Sequence, residues 1–327
     1  MQTNKNMALT KEQILTLTFL KGIGPKKILS IGTTINDREL HVASYESLHE
    51  VMKGMKDKKI QNVSIDDLNT AYRDARNTID YSEAKGIGLI GYYDEEFPKS
   101  LRNTINEDGK LDPPLLLWYR GDISILSMPG LAVIGTREPT KVGIAGGEYL
   151  AGEFAKRGLN IVSGLAIGCD TCGHRGALKV GGKTTAILAN GLDHDSIYPE
   201  ENQDLAEEIV KNGGLLLSEY RIGTTVNRYN LVARDRLQAG LASATLVVQT
   251  GVKGGTMHAA NATLMAHKDL YVMLFKDEVT NNHEKCQGNA YLFKKGAKYI
   301  KGSDDIDKIS KDIKDTKGTI TNLFESV

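Results

Sequence analysis

The chain has 327 residues, enough for one large domain with a small companion. Lys plus Arg (41) balance Asp plus Glu (41), so there is no global basic field, and any polyanionic partner needs a local groove. The three cysteines, Cys169, Cys172 and Cys286, are too few and too uneven for a disulfide framework, which fits a reducing, cytoplasmic setting. Residues 1–10 are polar, unlike a signal peptide, and no apolar run reaches the ~18 residues of a membrane span, so no membrane role is expected.

In chain order, Ile14, Leu15, Leu17 and Leu20, then Ile28, Leu29 and Ile31, recur at helical spacing. Residues 1–80 read as a helical, helix-hairpin-helix-like domain. Its turn, Gly22-Ile23-Gly24-Pro25-Lys26-Lys27, is either a phosphate contact made through backbone amides or a packing turn. From residue 81 to 305 short apolar runs alternate with helix-like segments: 131–134, 159–162, 184–188, 214–217, 244–248 and 270–274. These runs lack period-two alternation, as strands buried on both faces do. The reading is α/β, a Rossmann-like doubly wound, mostly parallel sheet. Residues 306–327 read as a charged tail with a short helix and a frayed end.

Four turns carry candidate chemistry. Gly135-Thr136-Arg137 follows a strand and precedes a helix, where backbone amides face anions and a guanidinium fork fits phosphate; the alternative is a polar turn with a surface Arg. Ser163 and Gly164 end the next strand, where small residues admit a ligand. Just beyond, Asp170 and His174 share a helix face, as an orienting pair or as acid/base groups. Cys169, Cys172 and His174 lack a fourth ligand for structural zinc, so no metal is expected and buried thiols are the better reading. Arg228, Arg234 and Arg236 crowd with Asn230, Tyr220 and Tyr229, a mixture of charge and flat faces suited to single strands, or else a solvated basic stretch. Gly254-Gly255-Thr256 opens a helix and can cradle an anion.

Taken in order, these blocks resemble the DNA-processing protein A (DprA, also Smf) family. Gly135-Thr136-Arg137 is similar to its Gly-Ser-Arg motif, and residues 163–178 to its Ser-Gly-Leu-Ala-x-Gly-Ile-Asp block with the following His and Gly-Ala-Leu. Gly191-Leu192-Asp193, Tyr198-Pro199-Glu200-Glu201-Asn202, Ser218-Glu219, Arg234-Asp235-Arg236-Leu237, Ala239-Gly240-Leu241, Gly288-Asn289 and Gly296-Ala297 continue the match over residues 86–305. The resemblance implies a non-catalytic protein that binds and protects single-stranded DNA in a Rossmann-like pocket, forms a homodimer and helps load a RecA-type recombinase during transformation, with no cofactor. Carried over residue by residue, it makes Arg137 the first phosphate or DNA contact and Arg234 and Arg236 the next, with Ser163 and Gly164 lining the pocket.

The departures mark a divergent branch, so that DNA uptake, recombination and defence all stay open as settings. Asp235 replaces an Asn, Leu231-Val232 replace Phe-Pro, and Phe275-Lys276-Asp277 stand where Pro-Gly is usual. No C-terminal winged-helix domain is expected. The alternative function is a nucleotide-binding sensor of the related Rossmann superfamily. Ala259 takes the place of the Glu that its hydrolases use, so hydrolysis is not expected.

Overall fold

The structure, a computed structural model, describes residues 9–106, 108–300 and 303–325, with side chains to Thr316 in the last segment. Most of the polar N-terminal stretch and residues 326–327 of the tail lie outside the described residues. The chain forms two compact units, residues 9–97 with Pro114–Trp118, and Pro98–Pro113 with residues 119–325.

The first unit holds α1 (Lys11–Phe19), α2 (Pro25–Asp37), α3 (Tyr45–Lys53), α4 (Lys58–Gln61), α5 (Ile65–Glu83) and β1 (Gly88–Gly91). Thr10, Ser44, Asp57 and Ser64 each cap a helix by accepting from a first-turn backbone N–H, a contribution of about 1 kcal/mol apiece. At the Gly22–Lys27 turn, Gly22 has φ +82° and Ile23 is buried; Pro25 begins α2. Ile14, Leu17, Ile31, Leu48, Leu68 and Ile79 fill the core of this unit. A boundary at residue 80 falls inside α5, whose Leu68, Ala71, Ala75 and Ile79 stripe runs unbroken until Gly86 (φ +70°) ends it. The strand after that glycine, β1, belongs to this unit.

The second unit carries β3 (Gly130–Ile134), α6 (Lys141–Lys156), β4 (Asn160–Ser163), α7 (Cys169–Lys179), β5 (Thr184–Leu188), α8 (Gln203–Lys211), β6 (Leu215–Ser218) and α9 (Arg228–Leu241). It continues with β7 (Ala244–Val247), α10 (Thr256–Met265), β8 (Asp269–Met273), α11 (Glu278–Asn282), α12 (Gln287–Lys294), β9 (Lys298–Ile300) and α13 (Ser303–Glu325), while β2 (Leu116–Gly121) spans the passage between units. Strands β3 to β9 pair in parallel in the order β6-β5-β4-β3-β7-β8-β9. The chain winds outward from β3 to β6, crosses back, and winds outward again from β7 to β9. This is the Rossmann-like doubly wound sheet, with its topological switch between β3 and β7.

Helices cover both faces. On one, Val133, Ile161, Leu246 and Tyr271 pack against Leu150, Phe154 and Ala177; on the other, Ile134, Val247 and Val272 pack against Ala259, Ala260 and Leu292. The described part of the tail is not a frayed end. In α13, Ile306, Ile309 and Ile313 recur at spacings of three and four and are buried in the first of these cores. We expect Ile309→Ala to cost about 2 kcal/mol or more in urea unfolding. An unchanged midpoint would mean that the helix does not stabilise the fold.

Candidate functional site

A trough of about 630 Å³ opens at the carboxyl ends of β3 and β7, where open α/β sheets collect ligands. Gly135, Thr136 and Arg137 line it from the end of β3, Gly254, Gly255 and Thr256 from the start of α10, and Arg234 from α9. Arg228 and Lys253 also line it.

Side-chain amides hold the loops of this trough together. Gln249, just beyond β7, accepts the Thr136 N–H on its backbone oxygen (2.7 Å) and the Thr140 N–H on Oε1 (2.8 Å). Thr140 Oγ1 in turn caps α6 at Gly143 N (3.1 Å). Buried Asn289 accepts from Thr250 N (2.9 Å) and donates to Val248 O (2.9 Å) and Met273 O (3.2 Å), which fixes the base of the loop carrying Lys253. Gly168 has φ +84°, and a Cβ there would press within 2.6 Å of the backbone of Thr136 and Arg137. That glycine lets the Arg137 turn rest on the start of α7.

The basic residues of these segments divide into two kinds. Arg137 is exposed, and so are Arg228 and Lys253. Among the described residues, none of these three side chains has a hydrogen-bond or ion-pair partner. The N–H groups of Gly254, Gly255 and Thr256 likewise donate to no described acceptor, which leaves the N-terminus of α10 open to an anion.

Arg234, by contrast, is 5% exposed and is spent inside the fold. It donates to Gly164 O (2.7 Å), to Ile187 O and to Asp235 Oδ1 (3.1 Å). Arg236 grips Glu219 with both terminal nitrogens (2.7 and 2.8 Å) and pairs with Asp112 (2.9 Å), outside the trough.

Ser163 and Gly164 do not line the trough either. Ser163 is fully buried and donates to Val133 O (2.6 Å). Gly164 is covered by Arg234 and Gln238, and its N–H donates to Asp170 Oδ2 (3.1 Å), which also accepts from Ala166 N (3.3 Å). A carboxylate of the protein itself therefore occupies the turn at which small residues were expected to admit a ligand. Asn230 also stands outside the trough; its N–H donates to the cap residue Asn227 (2.9 Å).

Lys253 lies inside a segment that the sequence reading examined but was not singled out, whereas Arg228 stood in the arginine cluster from which only Arg234 and Arg236 were carried forward as contacts. The available signal was position: Arg228 opens α9 directly after its Asn227 cap, and Lys253 directly precedes the Gly-Gly pair.

Asp170 and His174 are both committed to the fold. Burial raises the Asp170 carboxyl to about 6, although the nearby Arg234 charge holds it back. His174 is fully buried; its Nδ1 meets Thr184 Oγ1 (2.7 Å), which itself donates to Ile161 O (2.6 Å), so the imidazole carries its proton on Nδ1 and donates. Burial, then the Arg234 charge, push the ring down to about 3. A depressed histidine contributes stability above its unfolded value of 6.5, and that contribution is lost as pH falls toward 3. By pH 5 the loss is about 2 kcal/mol. Asp170, raised, works in the opposite sense between 3.8 and 6. Replacing His174 with Asn keeps a donor to Thr184. We expect it to remove about 2 kcal/mol of the stability difference between pH 7 and pH 5 in urea titrations; an unchanged difference would mean that His174 is not held neutral.

All three cysteines are free and buried, and no group of three or more metal-ligand side chains occurs among the described residues. Burial raises the Cys169 and Cys172 thiols. No described helix is long and apolar enough to cross a membrane.

With the geometry in place, comparison with known proteins is direct. Residues 88–311 match the profile of DNA recombination-mediator protein A. The chain belongs to that family. It is 36% identical to protein Smf of Synechocystis over 192 residues, 58% of this chain and 46% of that protein. It is 31% identical to DNA processing protein DprA of Bacillus subtilis over 226 residues, 68% of this chain and 71% of that one. The chain thus matches about half the length of the Synechocystis relative. Among solved structures, DNA processing protein A from Streptococcus pneumoniae superposes with a TM-score of 0.71 at 25% identity, covering 91% of this chain and 97% of that one. The Helicobacter pylori protein, whose structure was described for its single-stranded DNA binding mode, gives 0.59 at 32% identity, covering 69% and 96%. These identities suit the divergent branch expected from the altered motifs.

Proposed function

We propose that this family member binds single-stranded DNA in the trough, protects it, and helps load a RecA-type recombinase as a homodimer, without catalysis. One observation carries the reading. Arg137, Arg228 and Lys253 keep their charges unspent beside the open amides of α10, at the switch point of the sheet. A single strand can lay successive phosphates on such a surface and release its counterions. Family membership supports the recombinase and dimer roles. The non-catalytic role is supported by Asp170 and His174, both held by the fold, and by Ala259, which cannot exchange a proton.

Fluorescence anisotropy with labelled oligonucleotides tests the proposal. At low salt the full chain is expected to bind a single strand more tightly than a duplex of equal length. No binding to the single strand would end it. The mononucleotide-sensor reading draws on the same open amides, which are enough for one phosphate group. Marked thermal stabilisation by a mononucleotide, with none by oligonucleotides, would favour that alternative.

A further inference from the structure

The helical unit carries a concentration of charge that the trough does not use. The Gly22–Lys27 turn and α4 lie side by side: the Lys59 side chain passes 3.5 Å from where a Cβ on Gly22 would stand. Asp57 caps α4 by accepting from Lys59 N (2.8 Å) and Ile60 N (3.2 Å), and its second oxygen takes the ammonium of Lys27 from α2. Six lysines, Lys21, Lys26, Lys27, Lys56, Lys58 and Lys59, thus surround one acidic residue, Asp57. The chain as a whole is balanced, and α5 of the same unit sets Asp66, Asp67, Asp74, Asp80 and Glu83 against Arg73 and Arg76. The basic face is therefore local.

Much of this charge is unspent. Lys21, Lys26, Lys56 and Lys59 are exposed, and none of the four side chains has a hydrogen-bond or ion-pair partner among the described residues. The attraction lies in these side chains rather than in the turn, where Ile23 N already donates to Leu20 O (3.2 Å) and the Ile23 side chain is buried.

The chemistry of the face narrows its partner. Among the described residues before Tyr81, no large apolar or aromatic side chain is exposed. An unstacked base finds no ring here, and a bilayer finds no apolar wedge. What remains is contact with closely spaced external phosphates. A DNA duplex offers these at about one per 1.7 Å of axis, with its bases stacked inside. We propose that the lysine face formed by the Gly22–Lys27 turn and α4 binds the phosphate backbone of duplex DNA without reading sequence. It is a second DNA surface, and the inference does not rest on the trough.

The test uses the full chain as wild type and two variants in which Lys21, Lys26, Lys56 and Lys59 are changed together, to Ala in one and to Arg in the other. The probes are a labelled blunt duplex and oligo-dT of equal length, titrated by anisotropy at low salt, with thermal unfolding as the check on folding. The Ala variant is expected to bind the duplex at least about 10-fold more weakly and to flatten its log K against log salt slope by about 3, the effect of losing four phosphate contacts. Its affinity for oligo-dT should stay within about threefold of wild type, and the Arg variant, which keeps the charge, should bind the duplex as wild type does. Duplex binding unchanged in the Ala variant, equal weakening on both probes, or as large a loss in the Arg variant as in the Ala variant overturns the proposal. So does a wild type that binds oligo-dT but not the duplex, a result that leaves the single-strand reading of the trough standing. Binding to phosphatidylserine vesicles in place of the duplex would assign the face to a lipid surface instead.

Discussion

Replacing Arg137, Arg228 and Lys253 together by Ala is expected to lower affinity for a single strand at least about 100-fold, with no loss of thermal stability. Each side chain is exposed and bonds to no described residue, so truncation strands no buried partner. A charge-assisted hydrogen bond contributes roughly 1.5–3 kcal/mol, and the loss of two such bonds already gives that factor. The open amides of Gly254, Gly255 and Thr256 remain in the variant and account for residual binding. Titrations of wild type and variant by anisotropy, paired with thermal unfolding, decide the matter. A variant that binds as wild type does would move the site away from the trough.

Arg234→Ala is expected to act in the opposite register, destabilising the fold by about 3–5 kcal/mol, as losing one partner of a buried ionic network does. Truncation leaves Gly164 O and Ile187 O without their guanidinium donor and takes a compensating charge from Asp170, whose carboxyl burial has already lifted to about 6. Arg234→Lys should rescue little, because a single ammonium cannot reproduce a planar fork that serves two carbonyls and a carboxylate. Urea unfolding measures the loss. An unchanged midpoint combined with weakened DNA binding would return Arg234 to the role of a direct contact.

Arg234 also shows where sequence reasoning reaches its limit. Three arginines in a short stretch look equivalent as charge, but on a helix they point in different directions. Arg234, Leu237 and Gln238 share the buried face of α9, whereas Arg228 faces the trough. Helical spacing from Leu237 and Gln238 contained that distinction, and reading the residues as a basic cluster concealed it. Ser163 and Gly164 were legible as the end of a strand but not as an occupied turn, because only the fold shows that Asp170 curls back onto the amides of Gly164 and Ala166. The tail misled for a related reason. Its many charges outweighed Ile306, Ile309 and Ile313, which carry the helical period.

The strands were readable because burial on both faces removes alternation and leaves apolar runs ending in Gly or Ser. Their order was not, since the jump between β6 and β7 depends on crossovers that no local pattern records. The switch point created by that jump is what brings the Arg137 turn beside the Lys253 loop. Residues more than a hundred positions apart in the chain thus form one cationic surface.

The most direct measurement is the salt dependence of single-strand affinity for the full chain. Three cations engaging phosphates predict that log K falls against log salt with a slope of about −2, and that the triple variant flattens this slope toward zero. A wild-type slope near zero, or one that the triple substitution leaves unchanged, would contradict phosphate binding by Arg137, Arg228 and Lys253.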